Sequence, residues 1–352
     1  MNFASDNVVG VHPDVMAAIA AANVGAQGSY GADEYTARGL DALAELFETD
    51  IAAFPVLTGT AANSLCLAAM TPSFGGVLCH ADAHVMVDEC GAPELFTGGA
   101  KLIGLDQPAG KLTPDGISDR LAQFVRGEHD PLPSTVTITN ATELGTVYTP
   151  DEVGAIAEVA HGRGMRLHVD GARFANALVS QGCAPADLTW RAGVDALSFG
   201  GTKNGAMALE VVVLFDRALA EGFAHRRMKT AQLLSKGRFL GAQLEAYLAD
   251  GLWLDTARHA NAMARRLAEG LDAAGRVRLP LPTQANEVFP IMPAGLFAHL
   301  EASGAHLYEW PGVGPGTDVI AEGEVFARLV CAWTTTSEQV DELVAAVAGW
   351  DG

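Results

Sequence analysis

A lysine and an aspartate, each placed directly after a predicted strand, are the residues of this chain best suited to chemistry. Lys203 lies in a loop of glycine, threonine and asparagine, whose side chains are too short to screen it. A lysine that is partly desolvated or close to other cations becomes a usable amine nucleophile. Asp170 ends an apolar strand, where it can pair with a protonated heterocyclic nitrogen, and Arg173 can contact an anion. The competing interpretations are a surface lysine and a helix-capping aspartate paired with a nearby arginine.

A glycine turn between a predicted strand and a predicted helix is a candidate phosphate site. Gly59, Thr60 and Ala61 lie where the strand ends and small or hydroxyl residues open the helix. Free backbone N–H groups at a helix start, aligned with the helix dipole, bind phosphate. An ordinary turn with a helix cap has the same local sequence, so this segment alone favours neither interpretation.

A polar segment at residues 79–91 contains a histidine that could contact a flat ligand. His80, Asp82 and His84 suggest a metal site, but their spacing matches neither H-E-x-x-H nor a zinc pattern of cysteine and histidine. A single histidine, His84, stacked on a planar ring is the more economical hypothesis. For the other residues, a polar loop between a strand and a helix is the alternative.

These features together indicate one cofactor. Pyridoxal 5′-phosphate needs a lysine for its aldehyde, an acid for its ring nitrogen and an anion site for its phosphate. Lys203, Asp170 and the turn at Gly59 offer these groups, and His84 offers a side chain for the ring face. The residues therefore predict an enzyme that depends on pyridoxal phosphate and uses no metal.

The elements that must position these residues alternate along the chain. Short β-rich runs alternate with alanine-rich helical stretches, which is typical of a mostly parallel sheet covered by helices. Because ligands of such sheets bind at the carboxyl ends of the strands, Asp170 and Lys203 are expected on neighbouring strand ends. The predicted strands lie at residues 52–58, 75–80, 101–105, 134–139, 165–170, 194–199 and 210–215.

Beyond residue 224 the regular alternation of predicted strands and helices ends. A basic helical stretch is predicted over residues 224–251, followed by a second helix and a short strand–helix–strand tail. We therefore predict an α/β fold with two domains. Residues 1–250 form a large domain with an N-terminal arm and a mostly parallel seven-stranded sheet, and residues 251–352 form a smaller C-terminal α+β domain.

Composition narrows the class of protein. Of the 352 residues, 49% are hydrophobic, and 22 basic against 42 acidic residues give a formal net charge of −20. That charge argues against nucleic acid or an anionic membrane as a partner, and no apolar run approaches the ~18 residues of a membrane span. Five scattered cysteines without a C-x-x-C pair, and an N-terminus unlike a signal peptide, favour a cytoplasmic protein with free thiols.

Over nearly its whole length the sequence resembles the threonine aldolase family of fold-type-I pyridoxal phosphate enzymes. Each matching motif is short, but seven of them occur in the family's order. They are Ser5-Asp6-Asn7, Ser29-Tyr30-Gly31-Ala32-Asp33-Glu34, Thr58-Gly59-Thr60-Ala61-Ala62-Asn63, His80–His84, His168–Arg173, Gly201-Thr202-Lys203 and Arg328-Leu329-Val330.

The resemblance implies a role for each matching residue. Lys203 forms the Schiff base with the cofactor, Asp170 pairs with the pyridine nitrogen, and His84 stacks on the ring. Arg173 lies near the cofactor and the substrate carboxylate. The remaining implied ligands are Gly59, Thr60, Ala61 and Thr202 for the cofactor, Ser5 and Arg328 for the substrate carboxylate, and Arg238 and Tyr30 across a subunit interface.

One departure from the family bears on the substrate. Many threonine aldolases carry a histidine after the fourth strand, near the substrate hydroxyl, whereas this chain has Glu143 there. The variant is similar to the phenylserine aldolase and low-specificity branch. The implied reaction is retro-aldol cleavage of L-β-hydroxy-α-amino acids, phenylserine- or threonine-like, to glycine and an aldehyde. The base is His84, Glu143 or an ordered water.

Other functions are less well supported by the sequence than aldol cleavage. A β-eliminating lyase or an aminotransferase would use the same lysine and aspartate, and a metal-dependent hydrolase would use His80, Asp82 and His84. A non-catalytic interaction protein would leave Lys203 unexplained. The fold implies a homodimer or homotetramer with active sites between subunits, because an N-terminal arm carrying Ser5 and Tyr30 needs a neighbouring surface to order it.

Overall fold

The computed structural model describes residues 1–310 and 320–352, and the element bounds below refer to that part of the chain. The strands are β1 Ala52–Val56, β2 Gly75–His80, β3 Lys101–Leu105, β4 Leu132–Thr139, β5 Arg166–Gly171, β6 Ala196–Gly200, β7 Glu210–Leu214, β8 Glu287–Val288, β9 Ile291–Pro293, β10 Tyr308–Glu309 and β11 Glu324–Val330. The helices are α1 Pro13–Ala21, α2 Glu34–Phe47, α3 Gly59–Met70, α4 His84–Val87, α5 Ala92–Thr97, α6 Pro114–Leu121, α7 Pro150–His161, α8 Phe174–Gln181, α9 Phe223–Lys229, α10 Arg238–Leu248, α11 Leu252–Ala274, α12 Ala294–Ala302 and α13 Ser337–Ala348. Short 3-10 turns include Asp6–Val8 and Thr202–Asn204.

The predicted strands form one large sheet of seven strands, in the order β1-β7-β6-β5-β4-β2-β3. Its neighbours pair in parallel from β3 to β6, whereas β7 is antiparallel to both β6 and β1. Strands β2, β6 and β7 are buried along their whole length, as expected for the inner strands of a sheet covered on both faces. The fold class predicted from the sequence is confirmed.

The register of the sheet brings the predicted site residues to one edge. Asp170 at the end of β5 pairs with Ser198 of β6, and Lys203 follows the end of β6 by three residues. Helix α3 packs on this face, with Ala61 and Leu65 in one core cluster with Val56 and Val212. The expectation that Asp170 and Lys203 lie on neighbouring strand ends is correct.

The basic stretch predicted as one helix is two helices, α9 and α10, so that prediction is wrong. Between them Ala231 takes a left-handed backbone with φ of 59°. The Gln232 side chain accepts a hydrogen bond from Leu57 N–H at 3.1 Å. Gly237 lies so close to Gly31 that a Cβ added to Gly237 would be 2.7 Å from the backbone nitrogen of Gly31. Contacts with distant residues, which local pattern does not reveal, interrupt the helix.

A second core lies beyond the large sheet. Strand β11 pairs with β8, β9 and β10, and helices α11, α12 and α13 contribute to the apolar cluster that surrounds it. Phe3 is buried in this cluster, and its N–H donates to His306 O at 2.8 Å while its carbonyl accepts from Val330 N–H at 2.8 Å. The division of the chain at residue 250 stays a prediction, and helix α11 begins at Leu252.

No helix in the described ranges is long and apolar enough to cross a bilayer. The five cysteines are free, and three of them, Cys66, Cys79 and Cys331, are buried.

Candidate active site

A cavity of about 270 Å³ opens at the carboxyl ends of β1, β5 and β6. It also reaches the start of α3, the start of α4 and the turn that follows β6. Eight of the residues singled out from the sequence line it: Gly59, Thr60, His84, Glu143, Asp170, Arg173, Thr202 and Lys203.

Lys203 lies in a turn that is anchored on both sides. Asn204 next to it donates to Tyr247 Oη at 2.8 Å and to Trp253 O at 2.7 Å, which ties the turn to α10 and to the start of α11. Gly205 takes a φ of 108°, a conformation that favours glycine, and its carbonyl accepts from His12 N–H. Within residues 1–310 and 320–352 the Lys203 amine has no hydrogen-bond or ion-pair partner, so it is free to react in the cavity.

Asp170 is held from two directions. Asn63 of α3 donates to its Oδ2 at 2.7 Å, and the backbone N–H of Ala172 donates to its Oδ1 at 3.0 Å. Its side chain is buried, with 3% of the residue exposed. These bonds fix a carboxylate at the end of β5, where it can keep a proton on a nearby ring nitrogen by favouring the charged form.

His84 is oriented by a buried glutamate that the sequence reasoning did not identify as a site residue. Glu89 Oε1 lies 2.9 Å from His84 Nδ1, and the same oxygen accepts a hydrogen bond from Asn63 at 2.8 Å. The hydrogen bond to Glu89 raises the pKa of His84, and burial raises the pKa of Glu89. Asn63 therefore joins Asp170 to the His84–Glu89 pair. The separation of these partners along the chain hides the connection from a local motif.

Glu143 contacts the backbone of His84, whereas Glu89 contacts its side chain. Glu143 Oε1 accepts from the backbone N–H of His84 at 2.8 Å and from the Thr139 hydroxyl at 2.7 Å. Its Oε2 is buried and has no hydrogen-bond partner. Burial raises the pKa of this carboxyl. Glu143 thus lines the cavity with one oxygen engaged by His84 and Thr139 and the other buried without a partner.

The candidate phosphate site is the first turn of α3. Thr58 caps the helix, since its hydroxyl accepts from Ala61 N–H at 3.2 Å. Ala61 is therefore engaged and does not line the cavity, whereas Gly59 and Thr60 do. A Cβ at Gly59 would meet no atom within 4 Å. The first N–H groups of a helix have no partner inside it, so this turn can accept an anion.

Arg173 lies at the cavity wall with two buried carboxylates. Its Nε and Nη2 bind Asp6 at 2.8 and 3.1 Å, and Nη2 is 3.3 Å from Glu287. Burial would lower the pKa of Arg173, but the charges of Asp6 and Glu287 outweigh it and raise that pKa. Burial alone would raise the pKa of Asp6, but the charge and hydrogen bonds of Arg173 help to lower it below its usual value. The guanidinium is a fixed cation.

The other two carboxylate ligands expected from the resemblance lie outside the cavity wall. Ser5 Oγ accepts from Asn7 N–H at 3.1 Å, and it is Asn7 that lines the cavity. Arg328 Nη2 donates to Ala4 O at 3.3 Å, and its guanidinium lies 4.0 Å from the centre of the Trp310 ring. Their roles in substrate binding stay predictions.

Tyr30 and Arg238 lie on the surface of the chain, away from this cavity. Tyr30 is 51% exposed. Arg238 donates to Val24 O and Gly25 O, both at 3.1 Å. Both were expected to act across a subunit interface, and those roles stay predictions.

The metal site proposed as an alternative is not assembled. His80 is 2.8 Å from Gln107 O through Nε2, and its Nδ1 accepts from Asp82 N–H at 3.1 Å. Both ring nitrogens are therefore occupied within the protein. His84, Glu89 and Asp170 do bring their ligand atoms within 4.8 Å of one another. Asn63 donates to Glu89 Oε1 and to Asp170 Oδ2, and Glu89 Oε1 contacts His84 Nδ1, so each of these side chains is engaged within the protein and we assign no metal.

The cavity fits pyridoxal phosphate. The unpartnered amine of Lys203 suits its aldehyde, the buried carboxylate of Asp170 suits its ring nitrogen, and the open first turn of α3 suits its phosphate. The His84 side chain, held by Glu89, is 38% exposed at the cavity and can lie against the ring.

Known proteins agree with this arrangement. Residues 2–293 match the family model described as beta-eliminating lyase. The chain is 46% identical to a low specificity L-threonine aldolase of Pseudomonas aeruginosa, over 97% of this chain and 95% of that protein. It is 44% identical to a low specificity L-threonine aldolase of a Pseudomonas species, over 98% and 96%. A threonine aldolase structure from Leishmania major superposes with a TM-score of 0.91 at 30% identity and covers 98% of both chains. The chain therefore belongs to the beta-eliminating lyase family, on its threonine aldolase branch, and has the fold of the fold-type-I pyridoxal phosphate enzymes.

Proposed function

We propose that this protein cleaves L-β-hydroxy-α-amino acids, threonine-like or phenylserine-like, to glycine and an aldehyde with pyridoxal phosphate as cofactor. The observation that carries the proposal is that one cavity at the strand ends contains both a free amine, Lys203, and a fixed carboxylate, Asp170. The names of the two Pseudomonas relatives support the reaction class.

Each cavity residue then has a chemical task. When bound, the cofactor supplies a ring that withdraws electrons from the substrate Cα. Lys203 would hold its aldehyde, Asp170 would keep the proton on its ring nitrogen, and His84 would lie against the ring. Gly59, Thr60 and Thr202 surround its phosphate.

The substrate carboxylate is the group that orients the bond to be broken. Arg173 lines the cavity, and its Nη1 is not used by Asp6 or Glu287 in the bonds described above. We assign Arg173 to the carboxylate, with Ser5 and Arg328 as further ligands. A carboxylate held at two points would restrict rotation about the substrate Cα and so select which of its bonds is broken.

The proton of the substrate hydroxyl goes to His84 or Glu143, or to a water between them. Glu89 occupies Nδ1 of His84, so Nε2 is the atom left for the substrate. The unpartnered Oε2 of Glu143 is the second candidate. Both side chains therefore bear on which substituent at Cβ is accepted.

Product analysis tests the reaction. With L-phenylserine or L-threonine, we expect glycine and the matching aldehyde, benzaldehyde or acetaldehyde, in equal amounts, as measured by chromatography. Removal of the cofactor by dialysis against an aminooxy compound should stop both products, and added pyridoxal phosphate should restore them. Formation of a 2-oxo acid without glycine would contradict the proposal.

The Glu143→Gln variant tests substrate preference. Glutamine keeps an oxygen for His84 N–H and Thr139 but can no longer accept a proton at the second position. We expect the ratio of kcat/KM for phenylserine and threonine to change by about two- to tenfold, the effect of one hydrogen bond. Glu45→Gln, on an exposed face of α2, is the matched control. An unchanged ratio would remove Glu143 from the specificity argument.

β-Elimination is the second candidate, because the family model carries that description. It would use the same lysine and aspartate and would release a 2-oxo acid and ammonia from serine-like substrates. The product analysis above separates the two reactions.

We further propose a homodimer or homotetramer in the cytoplasm. The surface positions of Tyr30 and Arg238 support this assembly, since each could serve the cavity of a neighbouring subunit. The free cysteines suit a reducing compartment.

A further inference from the structure

Glu210, the first residue of β7, lines the cavity but has no task in the reaction described above. It is buried, with 6% of the residue exposed. It pairs with Val56 of β1 on one side and with Gly200 of β6 on the other. A buried glutamate between two strand ends that lead directly into the site requires an explanation.

The register places Glu210 beneath the candidate phosphate site. Thr58, which caps α3, follows the strand partner Val56 by two residues, or about 7 Å of chain at most. Val212 faces the same side of the sheet as Glu210, because side chains alternate along a strand, and Val212 belongs to the same core cluster as Ala61 of α3. The side chain of Glu210 therefore lies under the first turn of α3.

The charged and titratable groups around Glu210 do not provide a tight ion pair. Lys203 and Asp170 act on it through the cavity, and Tyr247 lies on the α10 side. No cation of the described residues lies within ion-pair distance. Thr202 lies close to it, with its hydroxyl donating to Leu209 O at 3.3 Å. Burial raises the pKa of Glu210 to about 7, against the opposing effects of Thr202 and Lys203.

A bound phosphate changes the balance of charge in this part of the cavity. A phosphate ester carries close to two negative charges above its second pKa of about 6. A glutamate anion beside it in a buried site would be repelled strongly, whereas a neutral carboxyl could donate a hydrogen bond to a phosphate oxygen.

We propose that Glu210 is a further cofactor-binding residue. When the cofactor is bound, its carboxyl takes up a proton from solvent and, in this neutral form, donates a hydrogen bond to the phosphate. This inference rests on the proposed function, because it takes the phosphate to lie at the first turn of α3. Binding of the phosphate and protonation of Glu210 are then coupled, and each strengthens the other.

The coupling has a defined sign. As the pH rises and Glu210 loses its proton, the hydrogen bond is replaced by repulsion, and the cofactor binds less tightly. One coupled proton weakens binding by about tenfold per pH unit above the midpoint. Between pH 7 and 9 the phosphate itself stays dianionic, so its own titration does not contribute.

The experiment compares the wild-type holoenzyme with E210Q between pH 7 and 9. The readouts are the ³¹P resonance of the bound cofactor and the cofactor dissociation constant, measured by fluorescence. We expect a pH-dependent ³¹P shift and a rising dissociation constant in the wild type. In E210Q, whose amide donates at every pH, we expect the pH dependence of the ³¹P shift to be lost and the dissociation constant to rise less. E143Q is the matched control, because it removes another buried carboxyl of the same cavity and should keep the wild-type ³¹P behaviour.

Two results would overturn the inference. One is the same ³¹P titration in the wild type and E210Q. The other is a flat wild-type ³¹P profile together with an altered pH dependence of the visible band in E210Q, which would mean that Glu210 is ionised and balances the charge at Lys203. Failure of the proposed function differs from both, because the protein would then show no visible band and no bound ³¹P resonance.

Discussion

The Lys203→Ala variant is expected to lose the covalent adduct that borohydride traps between protein and cofactor. Its turnover should fall by about 10²–10⁴-fold. The reason is geometric. Among the described residues that line the cavity, Lys203 is the one lysine, and its turn is fixed by Asn204 and Gly205. The adduct is measured by intact mass after reduction, and the turnover by glycine release.

A matched control separates this effect from a general loss of lysine. Lys101 is exposed on β3, at the edge of the sheet, and Lys101→Ala should keep both the adduct and the activity. An adduct of unchanged yield in Lys203→Ala would disprove the assignment of the amine and, with it, the proposed reaction.

The Asp170→Asn variant is expected to keep the fold and most of the bound cofactor but to lower kcat by about 10²–10³-fold, the usual effect of removing one preorganised electrostatic contact. Asparagine has nearly the same shape, and its single oxygen can still accept from either Asn63 or Ala172 N–H, so the fold should persist with one of the two hydrogen bonds lost. It carries no charge, however, and cannot hold the ring nitrogen in its protonated form.

The measurements are kcat and KM with L-threonine, together with the visible spectrum of the bound cofactor. We expect the loss to fall on kcat, with KM changed much less, because the proposed role of Asp170 is to contact the cofactor ring and not the substrate carboxylate. Asp88→Asn, an exposed acid between His84 and Glu89, should leave both constants close to those of the wild type. A loss confined to KM would show that Asp170 has another role.

The sheet could be predicted well because its signals are local. The apolar runs that became β2 and β3 are bounded by glycine and polar residues, and both strands begin and end where predicted. Asp170 and Lys203 could be placed together because parallel strands end at a common edge. The helical stretch broken at Ala231 failed because contacts with Leu57 and Gly31 decide its backbone.

The supporting residues of the site could not be predicted in the same way. Asn63 belongs to a matching motif, yet its role depends on Asp170, 107 residues away. Glu210 resembles any polar residue at the start of an apolar strand, and only the pairing with Val56 reveals what lies above it. Residues whose function depends on a distant partner carry no signature in their own neighbourhood.

The amide of Asn63 has a consequence for how this enzyme can change. Its nitrogen donates to two acids at once, Asp170 and Glu89, and thereby links the acid proposed for the ring nitrogen to the partner of the His84 imidazole. A substitution that adjusts one of these acids disturbs the shared donor and is felt by the other. Substitutions at Asp170 and at Glu89 are therefore expected to be correlated in evolution. A designed change at either acid should be combined with a compensating change at the other.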